Sequence, residues 1–225
     1  MEKIGIKKDL ELLKARLHDN NVIISAGQLL KFKKYIELIR SWNRKINLIS
    51  RKDVNFIVNK HILECLTILD ILDIPPECRI IDVGTGAGLP GIPLKIMRPD
   101  LSIVLLDSKR MKHIFLNKVV HELNLRETTP ILGRSESLSI DTEFAGTFDM
   151  VISRAVADLS QLFQWSHSFL SRNGIFVALK GGHLQDEIER FESNYPECIV
   201  DEVLISSGYI QKDRNLKLVV IKKLH

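Results

Sequence analysis

The run Ile80-Ile81-Asp82-Val83-Gly84-Thr85-Gly86-Ala87-Gly88 sets an acidic residue and three alternate glycines at the end of a short apolar segment. Glycines so spaced let a chain turn tightly at the carboxyl edge of a parallel sheet, where open α/β sheets bind ligands, and let a ligand approach the backbone without meeting Cβ atoms. The spacing also separates classes of ligand. A dinucleotide site prefers G-x-G-x-x-G, with the third glycine opening a helix whose amino terminus faces a pyrophosphate. Here the third glycine comes one residue early and Leu89-Pro90-Gly91-Ile92-Pro93 follows, a start whose two prolines donate no amides. The loop therefore suits a nucleoside cofactor that has no pyrophosphate, and S-adenosylmethionine is one. The next apolar run, Ile103-Val104-Leu105-Leu106, ends in Asp107. That carboxylate is placed either to accept from two ribose hydroxyls or to cap the helix that follows.

These residues need elements to hold them. Residues 1–75 read as helical. A pattern covers about 7–18, and a stronger one over 25–46 carries the stripe Leu29, Phe32, Ile36, Ile39, Trp42 and Ile46 behind Ser25 as N-cap. A third runs from Asp53 through Phe56, Ile57, Leu63, Leu66 and Leu69 to Pro75-Pro76. Trp42 stands on the apolar stripe, so core packing is favoured over stacking on a base. Beyond the prolines short apolar runs alternate with helical stretches: Arg79 to Val83, 91–97, Ser102 to Leu106, 109–123, Thr128 to Leu132, Phe148 to Ile152, 158–170, Ile175 to Leu179 and 184–192. Such alternation predicts an α/β fold, a mostly parallel sheet with helices on both faces. Ile199 to Ser206 and Leu216 to Lys222, joined by the polar stretch around Ser207, Gly208 and Asp213, are too close for a crossover helix and predict an antiparallel last hairpin at the sheet edge. The expected division is a helical amino-terminal extension over 1–75 and a cofactor-binding domain over 76–225.

Composition narrows the function classes. With 45% hydrophobic and 27% charged residues among 225, the chain is an ordinary globular one. No apolar run approaches the roughly 20 residues of a membrane span, and the amino terminus, MEKIGIKKDLELL, lacks the apolar stretch of a signal peptide. A cytoplasmic protein is expected. Cys65, Cys78 and Cys198 fit neither a disulfide framework nor a zinc knuckle. His61, His113, His121, His167 and His183 show no ligand spacing, so no metal site is expected. The net charge of +4 hides an asymmetry: residues 1–60 hold 14 Lys and Arg against 6 Asp and Glu. Taken alone this is either a solvated helical face or a surface for a polyanion.

The longer run from Asp82 to Leu94 resembles the small-subunit ribosomal RNA methyltransferase G family, also called the glucose-inhibited division protein B family. The likeness extends to Trp42-Asn43-Arg44-Lys45-Ile46-Asn47-Leu48, Asp107-Ser108, Phe115-Leu116, Gly133-Arg134-Ser135-Glu136, Ser153-Arg154-Ala155-Val156-Ala157 and Lys180-Gly181. It implies a Rossmann-like class I methyltransferase fold with a seven-stranded sheet, and transfer of methyl from S-adenosylmethionine to N7 of a guanine in the 530-loop region of 16S rRNA. The cofactor contacts it implies, taken with the loop reading, are Asp82, Gly84, Gly86, Gly88, Leu89, Asp107, Ser135, Glu136 and Arg154. Two positions depart from the family pattern. Met111 stands where a basic residue is usual, between Arg110 and Lys112, and Ser135 replaces a small or aliphatic residue.

With such a substrate the basic helices gain a role, since Lys and Arg contacts to phosphate supply affinity without reading sequence. The expected RNA contacts are Lys33, Lys34, Arg44, Lys45, Arg51 and Lys180, on free small-subunit rRNA or the 30S subunit, by a monomeric enzyme. Guanine N7 is already nucleophilic, so positioning suffices and no general base is expected. After the fourth strand there is neither an Asn-Pro-Pro-Tyr-like segment nor a Pro-Cys nucleophile; Ser153-Arg154 stands there. Arg154 is the expected catalytic residue, orienting cofactor and guanine through O6 of the base, unless it serves a salt bridge to Asp149 or Asp158. A small-molecule or protein methyltransferase, and a non-catalytic S-adenosylmethionine-binding module, share the same loop and remain alternatives at this stage.

Overall fold

The computed structural model describes residues 2–154, 157–206, 208 and 215–223. Helix α1 spans Glu2–Asp19 and α2 spans Ala26–Asn43. Ser25 caps α2 through a reciprocal pair: Gln28 N donates to Ser25 Oγ (3.2 Å) and Ser25 N to Gln28 Oε1 (2.9 Å), a capping box that satisfies two otherwise orphaned amides. Phe32, Tyr35, Ile36, Leu38 and Ile39 form the buried face. Trp42 packs edge-on against Phe115 with ring centroids 5.6 Å apart. The helix stops short of the expected residue 46 because buried Asn43 turns its side-chain oxygen to the amides of Leu48 (2.8 Å) and Ile49 (3.0 Å), offering those amides an alternative to the helical ladder. The third helical pattern is one path in three geometries: a 3₁₀ turn at Val54–Phe56, a π turn at Val58–Ile62 and α3 at Leu63–Ile71.

The strands are β1 Arg79–Val83, β2 Ser102–Asp107, β3 Thr128–Leu132, β4 Phe148–Arg154, β5 Leu170–Gly181, β6 Cys198–Leu204 and β7 Leu216–Lys223. Between them lie α4 Gly91–Met97, α5 Arg110–Glu122, α6 Ser135–Leu138, α7 Leu159–Ser166 with a 3₁₀ turn at His167–Phe169, and α8 Gln185–Asn194. The sheet order is β3-β2-β1-β4-β5-β7-β6. Its first five strands pair in parallel and β7 runs antiparallel to both β5 and β6. This is the mostly parallel sheet with a closing antiparallel hairpin that the alternation implied, with the seven strands that the resemblance implied. Of the polar stretch joining the hairpin, Ser207 and Asp213 lie outside the described residues, as do Ala155 and Val156 of the segment after β4.

Other boundaries differ from expectation as well. The helix expected to reach residue 170 ends at Ser166, whose hydroxyl bonds back to Leu162 O at 2.6 Å, and β5 then starts five residues early. The single turn α6 is too short to leave a periodic signature.

Alternation along the strands divides the core. Ile80, Ile103, Leu105, Ile152, Val177 and Leu179 pack with Leu13, Ile36, Ile39, Leu66, Leu94 and Phe115, so α1 to α5 share one continuous core with that face of the sheet. Ile81, Val83, Leu106, Val151 and Phe176 pack on the other face with Leu159, Phe163 and Phe191 of α7 and α8. The order reverses between β1 and β4, which opens a crevice at their carboxyl ends. From α2, fully buried Tyr35 meets the loop that follows β1, its hydroxyl donating to Ala87 O at 2.8 Å. Tyr35→Phe keeps the ring and strands that buried carbonyl, so a loss of about 1–3 kcal/mol is expected in urea unfolding; a variant as stable as the wild type would show that Ala87 O finds another partner.

Candidate active site

The glycine loop is shaped by the protein behind it. Asp82, at the end of β1, is wholly buried and points inward: its Oδ2 accepts from Thr85 Oγ1 (2.6 Å) and Gly91 N (2.8 Å). The amides of Gly84 and Thr85 donate to Leu106 O (2.9 and 3.1 Å), and Ser153 Oγ donates to Val83 O (2.9 Å). Gly84, Gly86 and Gly88 have φ of 69°, 60° and 90°, the left-handed region that residues with a Cβ rarely enter. At Gly88 and Gly91 packing adds to this: a Cβ would lie 2.4 Å from Ile92 Cγ1 at the first and 2.6 Å from Leu105 Cδ2 at the second.

In front of the loop lies a cavity of about 490 Å³. Gly84, Gly86, Leu89 and Asp107 line it, together with Arg154, His61, Lys112, Leu48 and Ile49. A smaller cleft of about 190 Å³ adjoins it, sharing Gly84 and Asp107 and bounded by Val83, Leu106, Ser135, Glu136 and Trp165. Asp107 stands where the two meet. Its Oδ2 accepts from Gly86 N (3.0 Å) and Lys112 Nζ (3.3 Å), and its Oδ1 from Lys109 N (2.9 Å). The N-cap of α5 is Lys109, so Asp107 is not the cap of that helix. Lys112, the neighbour of half-exposed Met111, supplies a cation at the cavity wall.

Most of the expected cofactor contacts therefore meet in one place. Gly84, Gly86, Leu89, Asp107 and Arg154 line the larger cavity and Ser135 and Glu136 the smaller. Asp82 and Gly88 do not; they stand behind the loop and fix its shape. Ser135 turns its hydroxyl away, to Trp165 O at 2.9 Å.

Arg154, at the end of β4, meets neither of the carboxylates considered for it. Asp149 accepts from Arg79 N (2.9 Å), and Asp158 caps α7 and pairs with Arg190 (3.1 Å). Its partners come from the amino-terminal helices: Nη1 reaches Glu64 Oε2 and Lys60 O, each at 3.4 Å, and Nη2 lies 2.6 Å from His61 Nδ1. Burial pushes the nearby Cys65 thiol up to about 12 and also raises the Tyr35 hydroxyl well above its usual range, the Arg154 charge opposing both. Sequence spacing carries no signal for these contacts, since Glu64, Tyr35 and His61 look like ordinary members of helical patterns.

The basic residues are less uniform. Lys33 pairs with Glu37 (2.9 Å) and Lys34 with Glu122 of α5 (3.0 Å), both at the surface. Lys45 is exposed. Arg44 and Arg51 border a surface cavity of about 620 Å³ with Arg40, which pairs with Asp9 at 2.7 Å. Lys180 is turned inward, against the expectation of an RNA contact: it donates to Ala157 O (2.8 Å) and pairs with Glu187. Among the described residues no cluster of His, Cys, Asp or Glu is arranged to hold a metal ion, and no helix is long and apolar enough to cross a membrane.

The family model for rRNA small subunit methyltransferase G (GidB) matches residues 28–216. A ribosomal RNA small subunit methyltransferase G of Thermoanaerobacter sp. (strain X514) is 34% identical over 226 residues, covering 96% of this chain and 91% of its own length. That of Clostridium kluyveri is 38% identical over 195 residues, covering 86% and 81%. Among solved structures, a mutant of MtNAS in complex with S-adenosylmethionine superposes with a TM-score of 0.58 at 15% identity, covering 88% of this chain and 72% of its own. A ribosomal protein L11 methylase from Lactobacillus delbrueckii subsp. bulgaricus gives 0.54 at 17%, covering 72% and 77%. At these identities the structural likeness shows the fold alone.

Burial raises the Asp82 carboxyl to about 7 against the hydrogen bonds from Thr85 and Gly91 and the charge of Arg154. A raised folded value means that the stability this group contributes is fully present below about pH 4 and is lost as pH rises through about 7. Asp82→Asn keeps an acceptor without the charge, so its melting temperature should gain on that of the wild type between pH 5 and 8. A difference that stays constant over that range would show that the carboxylate is bound as the anion throughout.

Proposed function

The chain belongs to the rRNA small subunit methyltransferase G family, and on that premise we propose that it transfers methyl from S-adenosylmethionine to N7 of a guanine in the 530-loop region of 16S rRNA. The observation that carries the reading is the single crevice in which the glycine loop, the Asp107 carboxylate and the Arg154 guanidinium face one cavity. The residues fit the cofactor by their chemistry. A carboxylate has about four acceptor sites and that of Asp107 accepts three bonds from the protein, which leaves capacity for a ribose hydroxyl. The narrow cleft between Leu106 and Trp165 has the apolar walls that an adenine ring needs, with Ser135 and Glu136 at its rim. When bound, S-adenosylmethionine supplies a methyl group on a positively charged sulfur.

The remaining work belongs to the chain. Guanine N7 attacks with an in-plane lone pair, and the positive charge passes from sulfur to the base, so no proton has to leave and no general base is needed. Positioning and a fixed electrostatic environment then supply the rate. Arg154 holds the guanine by donating to O6, the edge that arginine reads well, while Leu89 and the loop backbone keep water from the reacting atoms. Residues 1–75 form the RNA-facing part, with Lys33, Lys34, Arg44, Lys45 and Arg51 as phosphate contacts, and 76–225 the cofactor-binding domain. Lys180 has no place among these contacts. The enzyme acts as a monomer in the cytoplasm, on small-subunit rRNA or the 30S subunit.

Transfer of labelled methyl to 30S subunits, to protein-free 16S rRNA and to DNA, with cleavage at 7-methylguanine to map the product, tests the reading. Label at one guanine of the 530 loop is expected, and label confined to DNA, a protein or a small molecule refutes it. On folded protein, Arg154→Ala should lower turnover about a hundredfold, the cost of a misplaced reacting group; unchanged turnover would remove Arg154 from the chemistry.

A further inference from the structure

Three consecutive features of the amino-terminal segment converge on Arg154. The π turn Val58–Ile62 presents the Lys60 carbonyl and the His61 ring together, and Glu64 follows one turn later on α3. Turns of this kind are rare and gather at functional sites. Lys60 itself does not compete, since its ammonium lies 2.7 Å from Asp53 and over the Phe56 ring.

The shortest of the contacts is the informative one. A guanidinium has donors and no acceptor, so His61 Nδ1, 2.6 Å from Arg154 Nη2, must be the acceptor. The ring is then neutral, with its proton on Nε2, because an imidazolium has no lone pair at Nδ1. A second carboxylate at this place would hold the guanidinium as firmly but would cancel its charge and compete with a ligand oxygen. A neutral imidazole fixes the direction of the guanidinium and leaves its charge available. Both side chains line the cavity in front of the glycine loop, whereas Glu64, at the longer distance of 3.4 Å, is buried behind them.

We propose that His61 is a positioning residue for methyl transfer: its neutral imidazole sets the orientation of Arg154 toward the base that is methylated. The assignment rests on the reading of Arg154 given above, and two measurements separate them. The first needs no substrate. Nitrogen-15 NMR of the free protein at neutral pH should show His61 as the Nε2–H tautomer, and substitution of Arg154 by Ala should shift its Nδ1 signal; an Nδ1–H or doubly protonated ring would overturn the assignment. The second is kinetic. His61→Ala should lower kcat about ten- to a hundredfold with KM for S-adenosylmethionine changed less than about threefold, the pattern of a lost transition-state contact. His61→Asn, whose side-chain oxygen offers an acceptor near the place of Nδ1, should recover most of that loss. Equal losses in both variants, or an affinity loss that accounts for the whole effect, would reduce His61 to a packing residue. If the wild type methylates no RNA, the functional reading falls, and the tautomer alone decides whether His61 holds Arg154.

Discussion

A carboxylate with no access to water holds the catalytic edge of this molecule together. Removing an ion from solvent is costly, and the structure offsets that cost for Asp82 with a hydroxyl and an amide from its own loop. These two bonds bridge residues 82 to 91, so the chain between them has little choice but to fold outward as a tight turn. The left-handed glycines, the close approach of α4 to β2 and the loop backbone that lines the cavity all follow from that closure. The acidic residue that opens the motif serves the loop, and the acidic residue at the end of the next strand faces the ligand space.

The same edge is completed from a part of the chain that resembles an appendage. The amino-terminal helices lie in one core with the sheet, and their segment contributes Tyr35 against the loop, Leu48 and Ile49, from the turn after α2, at the cavity wall, and the clamp on Arg154. An arginine at the end of a strand would otherwise sweep a wide arc, because its side chain has four rotatable bonds. Held from the opposite side by a carbonyl, an imidazole and a carboxylate, it keeps one direction. A displacement of α2 or α3 would thus be felt at the loop and at Arg154 alike.

Much of this was legible before any coordinates. Three alternate glycines after a strand, an acidic residue closing the next one and the alternation of apolar runs are local signals, and each survived with boundaries shifted by a few residues. What could not be read were pairings between distant positions. Arg154 and Glu64 lie 90 residues apart in sequence, and nothing in a helical stripe marks His61 as the member that faces a strand end. The inward turn of Asp82 was hidden for a related reason, since a motif specifies the residue and leaves the direction of its carboxylate to the packing. The pairing of Lys180 with Glu187 on α8 is a further contact of this kind, and no local signal marks it.

The surface pairs on α2 carry a thermodynamic consequence for binding a polyanion. A lysine that leaves bulk counterions for a phosphate makes the equilibrium steeply dependent on salt, because each contact frees condensed ions from the nucleic acid. Lys33 and Lys34 already have acidic partners in Glu37 and Glu122, and a phosphate would have to displace those carboxylates. Each exchange sets an internal repulsion against the gain, since the released glutamate remains close to the incoming anion. A phosphate meeting that helix face would thereby be held by a weak, reversible grip, a property suited to an enzyme that must let go of a very large substrate after a single small change.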